Sequence, residues 1–332
     1  MDIRALISWS AFPLILGGAV FGSHALFVAG WSAPFAVFSV TFTAAIPLLL
    51  LQLRMPATEA WRGRPQDFRL DLLHMVSTAL TGDLWRAISF GVAFAVSVWL
   101  AETLGTSLWP SHWPLLAQFA LAMVVGDFGA YWVHRTLHNV PVLWRVHAMH
   151  HSSERLYVFS ATRNHPANVI LAWGSQALPL IVLGAHEHVL VLMSVFTAVH
   201  GMLQHANVDF RHGVLNHVFA TADLHRWHHS ADIDESNSNY GSNLIIWDWV
   251  FGTRNLPRDR RHPERMGLAG MELPDNWFSH LASPFVLERY ATDEVAIADL
   301  PEHDEFTLET GDVAAEAVPV LTGVRTGAPA SR

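Results

Sequence analysis

PLLAQFALAMVVGDFGAYWVHRTLH, residues 114–138, decides the fold. A helix starting at Pro114 reaches His134 after 20 residues, roughly 30 Å, which is about one hydrocarbon thickness of a bilayer. His134 and His138 therefore emerge at a membrane boundary, one helical turn apart on one face. A span that ends on paired imidazoles reads as a membrane helix feeding a metal site.

Two further clusters follow, His147-x-x-His150-His151 and His225-x-x-His228-His229. Positions i, i+3 and i+4 lie on one side of a helix, so each cluster aims its rings in one direction. Imidazole suits iron, zinc, copper and nickel. A mononuclear zinc site takes about three or four protein ligands. Eight converging imidazoles suit two metals rather than one. Leaving them buried without a partner would cost about 1–3 kcal/mol for each unpaired nitrogen. The chain has no cysteine, so thiolate ligands, Fe–S clusters and disulfides are excluded.

Outward from these clusters the chain is apolar, with a mean hydropathy of +0.26 and only 15% charged residues. That is more apolar than an ordinary soluble protein. Apolar stretches come in pairs at 6–30 and 34–53, at 84–104 and 114–134, and as a hairpin at 167–185 and 189–205. The 54–83 connection carries Arg54, Arg62, Arg64 and Arg69, while the connections at 30–34 and 105–113 carry no arginine. By the positive-inside rule the N-terminus, residues 54–83 and the stretch from His134 to His165 are cytoplasmic. The hairpin returns to the same side near His205, which becomes the ninth candidate ligand. His200 lies five residues earlier, roughly 140° around the helix, and is deeper in the span. His165 precedes Pro166 and reads as a helix cap. His186 and His188 turn the hairpin and read as solvated. Asp127, Glu154, Asp223 and Asp232 are candidates to receive the second ring N–H of metal-bound histidines. Arg254, Arg258, Arg260, Arg261 and Arg265 form a basic patch against anionic headgroups or an acidic redox partner. Residues 291–332 hold nine acidic residues against two Arg, so most of the net charge of −9 sits in a tail that reads as disordered. Nothing points to nucleic acid.

At these residues the sequence resembles the fatty acid hydroxylase (sterol desaturase) superfamily. The words that carry it run Asp127-Phe-Gly-Ala-Tyr-Trp-Val-His134-Arg135, His150-His151-Ser152-Ser153-Glu154 and Leu224-His225-Arg226-Trp227-His228-His229-Ser230. Asn239-Tyr240-Gly241 and Trp247-Asp248-Trp249-Val250-Phe251-Gly252-Thr253 follow, and Arg163-Asn164-His165-Pro166 matches too. The resemblance covers roughly residues 115–255. Thr221-Ala222-Asp223 departs from it, since many relatives have Pro in the middle. The resemblance implies a membrane helical bundle with a cytosolic metal cap. It also implies a non-haem di-iron enzyme that uses O2 to hydroxylate or desaturate a lipid.

The expectation is therefore all-α: a polytopic membrane bundle of about four spans plus a hydrophobic hairpin, with a cytosolic histidine-rich di-metal cap. Residues 1–113 form N-terminal transmembrane helices, 114–255 the catalytic region, 256–290 a cytosolic basic and amphipathic segment, and 291–332 the acidic tail. The expected metal ligands are His134, His138, His147, His150, His151, His205, His225, His228 and His229. The expected cofactors are two iron ions, which zinc can replace, with O2 as co-substrate. The expected partners are a lipid substrate, the membrane and an external donor of ferredoxin or cytochrome type. The expected location is the inner membrane, with the metal site on its cytoplasmic side. The alternative is a histidine-rich metal transporter. It would string ionisable residues along a mid-membrane path. A haem protein needs axial histidines facing a macrocycle, which adjacent pairs such as His150-His151 do not suit.

Overall fold

A computed structural model describes residues 2–292, and its regular structure is helical. Six helices among the described residues are long and apolar enough to cross a membrane: α1 (Ile3–Val28), α2 (Ala33–Arg54), α3 (Pro65–Leu104), α4 (Leu115–Asn139), α6 (Pro166–Leu183) and α7 (Glu187–His205). Between them lies α5 (Pro141–His151). Four short helices follow: α8 (Ala222–His228), α9 (Ile233–Ser236), α10 (Ile246–Val250) and α11 (Trp277–Val286). The expected four spans and hairpin are α1–α4 and α6–α7. The acidic tail lies outside the described residues from position 293 on.

The helix α7 is the axis of the bundle. Val189, Leu192, Phe196, Val199 and Leu203 are buried along it at helical spacing, and α1, α2 and α4 pack around it. The helix α6 sits between α3 and α4. Lipid tails are as apolar as leucine, so membrane helices are held by close packing rather than by exclusion from water. Gly126 and Gly129 supply that closeness. A Cβ on Gly129 would lie 2.1 Å from the Ser175 carbonyl oxygen of α6, and one on Gly126 would lie 3.1 Å from that of Gln176. Away from these contacts the faces remain apolar and open, as at Leu84, Ile88 and Val92 of α3.

One end of the bundle gathers the start of α1 and α3 with the ends of α2, α4 and α7. Arg211 N–H donates to the Ser8 carbonyl (2.9 Å) and Asp209 N–H to that of Met55 (2.9 Å). Gln52 Oε1 accepts from the N–H groups of Val158 (3.0 Å) and Asn207 (3.2 Å). All three histidine clusters lie at this end.

The 54–83 connection is corrected. Only residues 55–64 form a connection. From Pro65 the chain is helical without interruption to Leu104, 40 residues or roughly 60 Å, twice the hydrocarbon thickness. Asp67, Asp71 and His74 look like loop polarity in the sequence. They recur at i, i+4 and i+7 and are buried on one face. The polar stripe faces the cap. Asp71 accepts from Arg163 Nε (2.7 Å) and Tyr157 Oη, and His74 pairs with His280 (3.1 Å). The basic patch also changes character. Arg260 pairs with Glu235 and Glu264, Arg261 pairs with Asp209, and Arg254 lies 4.5 Å over the Trp249 ring.

Candidate metal centre

All nine expected histidines converge. They form two groups, in each of which the ring nitrogens lie within 4.8 Å of one another. The first holds His134, His138, His147, His151 and His228. The second holds His150, His205, His225 and His229. The groups adjoin, since the His151 and His229 rings stack at 4.4 Å.

The groups cut across the sequence clusters, for a helical reason. Residues i and i+4 are about 40° apart around a helix, while i+3 sits about 60° the other way. His147 and His151 therefore share one group and His150 turns to the other. In the same way His225 and His229 share one group and His228 joins the other. Each His-x-x-His-His helix thus serves both groups.

Outer hydrogen bonds set the tautomers. His134 Nδ1–H donates to the Tyr240 carbonyl (2.8 Å), His150 to that of Arg163 (3.2 Å), His205 to Gly201 (2.9 Å) and His228 to Ser238 (2.8 Å). His147 donates to Asn168 Oδ1 (3.0 Å) and His138 to Asn237 Oδ1 (3.3 Å). Six rings therefore turn Nε2 inward as a lone pair. The Nε2 atoms of His134 and His147 stand 3.0 Å apart. Both are acceptors, so no hydrogen bond relieves them, and a cation bound to both would. Burial holds His147, His150, His151, His225, His228 and His229 well below the ordinary imidazole range, and the surrounding histidines push the same way. They are neutral near pH 7, the state a metal needs.

The carboxylates expected around the centre do other work. Asp127 accepts from Asn243 N–H (2.9 Å), Asn243 Nδ2 (2.8 Å), Gln176 Nε2 (3.4 Å) and Leu244 N–H. It ties α4 to α6 and to the loop after Tyr240. Asp223 accepts from His212 (2.9 Å), Asp232 caps α9, and Glu154 lies beside Arg155 (3.7 Å). Carbonyl and amide oxygens take the place of carboxylates here. Asp248, in the last of the family-like words, accepts from the N–H groups of Tyr240 (2.7 Å) and Gly241 (2.8 Å) and so fixes the carbonyl that holds His134. Asn168, one turn into α6, was missed by sequence reading. Its only signal is its place just after the Arg163–Pro166 word.

His165 is a cap: Nδ1 accepts from Ala167 N–H (3.2 Å) and Nε2–H donates to the Leu281 carbonyl (3.3 Å). His200 is fully buried outside both groups, among the rings of Phe12, Phe196 and Phe219. His186 is exposed, and His188 is half-buried and also pairs with His24 (3.1 Å).

Residues 119–253 match the family model for fatty acid hydroxylase. Over 286 residues the chain is 34% identical to the ornithine lipid hydroxylase OlsE of Rhizobium tropici, covering 85% of each. The chain belongs to the fatty acid hydroxylase family. Human alkylglycerol monooxygenase is 28% identical over 63% of this chain and 45% of its own length. Methylsterol monooxygenase 2-2 of Arabidopsis thaliana is 28% identical over 43% of this chain and 54% of its own. No solved structure matches. In this chain the matched region begins in α4 and ends just after α10. It contains all nine of the expected ligand histidines.

Proposed function

We propose that the protein is a multi-pass membrane monooxygenase that hydroxylates or desaturates a lipid at a C–H bond, with two iron ions and O2. The observation that carries this reading is the pair of adjoining all-nitrogen groups at one end of a membrane bundle. His134, His138, His147, His151 and His228 would hold one metal, and His150, His205, His225 and His229 the other. Two iron ions held there would activate O2, the oxidant that attack on an unactivated C–H bond requires.

The chain's own residues do the rest. The carbonyls of Tyr240, Arg163, Gly201 and Ser238 hold the imidazoles in one tautomer. An apolar cavity of about 450 Å³ between α1, α4 and α7 gives an acyl chain room. Its wall at Phe12, Phe196 and Phe219 backs onto His200, just over one turn before His205. The relatives are named for acting on ornithine lipid, alkylglycerol and methylsterol, which supports a lipid substrate. Electrons come from an external donor of ferredoxin or cytochrome type. The transporter reading loses ground because the histidines close into one cluster at the end of the bundle.

Lipids from a strain expressing the protein under isotope-labelled O2 should gain one labelled oxygen, or one double bond, that is missing from a strain with the His225→Ala variant. An unchanged lipid profile would sink the reading.

In this reading the histidine end lies on the cytoplasmic side of the inner membrane, which the arginine distribution supports. The chain lacks cysteine, so single reporters are clean. An impermeant thiol reagent added outside the inner membrane should label Leu108→Cys and spare Asp234→Cys. The reverse pattern would overturn the orientation.

A further inference from the structure

A second cavity, of about 500 Å³, opens in the cap beside the metal centre and is polar. Four arginines and four carboxylates line it. Its link to the centre is Arg163, whose carbonyl accepts from His150 and whose side chain lines the cavity. That side chain is only 5% exposed. Asp71 holds its Nε, while Nη2 has no hydrogen-bond partner among the described residues. A buried guanidinium N–H left unpaired is costly, and its preferred partner is a carboxylate or phosphate oxygen.

Of the other lining residues, two arginines are already matched by three carboxylates. Arg155 pairs with Asp67 (3.5 Å) and Glu154 (3.7 Å), and Arg64 pairs with Asp275 (3.7 Å). Arg289 and Glu272 also line the cavity, and neither forms an ion pair among the described residues. The cavity thus offers the spare Nη2 of Arg163, the cation of Arg289 and the anion of Glu272. A ligand of a single sign leaves one of them unmatched. A ligand that carries both signs matches them.

Exposed apolar residues stand near the lining residues in the chain. Phe68 follows Asp67 on α3 and is 43% exposed, and Phe278 lies three residues after Asp275 and is 73% exposed. Leu72, Val76 and Leu80 extend the α3 stripe, and Phe285 extends that of α11, which packs on α3. Exposed aromatic stripes beside a charged pocket are the arrangement of a membrane-contacting surface.

We propose that this cavity holds the polar head of a zwitterionic lipid at the membrane surface, with its carboxylate or phosphate on Arg163 and Arg289 and its ammonium on Glu272. This rests on the lipid-oxidising reading and narrows it to one substrate class.

Binding is read without turnover. Full-length protein in detergent is mixed with equal amounts of phosphatidylethanolamine, N-acylornithine, phosphatidylglycerol and diacylglycerol of matched chains, and retained lipid is counted by native mass spectrometry. At least one zwitterionic lipid should be retained about tenfold or more over both phosphatidylglycerol and diacylglycerol, as one or two charge-assisted hydrogen bonds allow. Glu272→Gln and Arg289→Gln should each cut that preference several-fold with metal content unchanged. Equal retention of all four lipids, or a preference that survives both variants, would overturn the proposal. So would competition by free ornithine or phosphoethanolamine as strong as that of the lipid, which would mark a soluble ligand. The assay uses neither O2 nor reductant, so its failure leaves the oxygenase reading standing.

Discussion

His205→Ala should lose metal and lower O2-dependent turnover about 100-fold or more, while His200→Ala keeps its metal and costs a modest fraction of activity. Both residues lie on α7, five apart and roughly 140° around the helix. His205 sits with His150, His225 and His229, and its Nε2 is 3.2 Å from that of His225. Its Nδ1–H is held by the Gly201 carbonyl, so Nε2 is the only atom it can offer. Loss of an outer partner of a metal ligand typically costs about 10–100-fold, and loss of the ligand itself costs at least that. His200 touches Phe12, Phe196 and Phe219 instead. Truncating it opens a hole among aromatic rings, which lowers stability rather than metal binding. Metal analysis and turnover of both variants check this. Metal loss from His200→Ala with metal retained in His205→Ala would mean that the α7 assignment is wrong.

Gly129→Ala should prevent correct assembly. The added Cβ would stand 2.1 Å from the Ser175 carbonyl oxygen. That oxygen is backbone and cannot swing aside, so α6 must move off α4. Overpacking of side chains alone costs about 1–3 kcal/mol, and a backbone clash costs at least the upper end. The damage reaches the centre, because α6 carries Asn168, which holds His147, and Gln176, which holds Asp127. The expected result is a fall in detergent-stable protein and in the thermal midpoint, with metal lost in parallel. Gly91→Ala on α3 is the control, since nothing lies within 4 Å of its added Cβ. Equal midpoints for the two variants would remove α4–α6 contact from the account.

The sequence made the convergence of the histidines legible, because metal chemistry leaves a pattern of residue type and spacing. It also made the apolar helices legible, because a bilayer demands length and hydrophobicity. Three things were not legible. The continuity of α3 was hidden because Asp67, Asp71 and His74 face the cap, so a buried polar stripe looked like a loop. The division of the nine rings between two groups was hidden because it depends on how α5 and α8 face each other across the centre. The groups that orient the rings were hidden because most are main-chain carbonyls, which any residue type supplies. That is also why Asp127 misled: it stands two turns before His134 on α4, yet its oxygens serve the loop at Asn243 and Leu244.

The central claim is that one chain holds two metals on nine imidazoles, and metal counting on purified, monodisperse protein tests it most directly. Protein made in iron-replete cells should carry two iron ions per chain. Zinc makes up any shortfall after overexpression, since its affinity for such sites usually exceeds that of ferrous iron. His228→Ala and His225→Ala, one from each group, should each lower that count. One metal per chain, or none, in protein that remains folded would contradict the account.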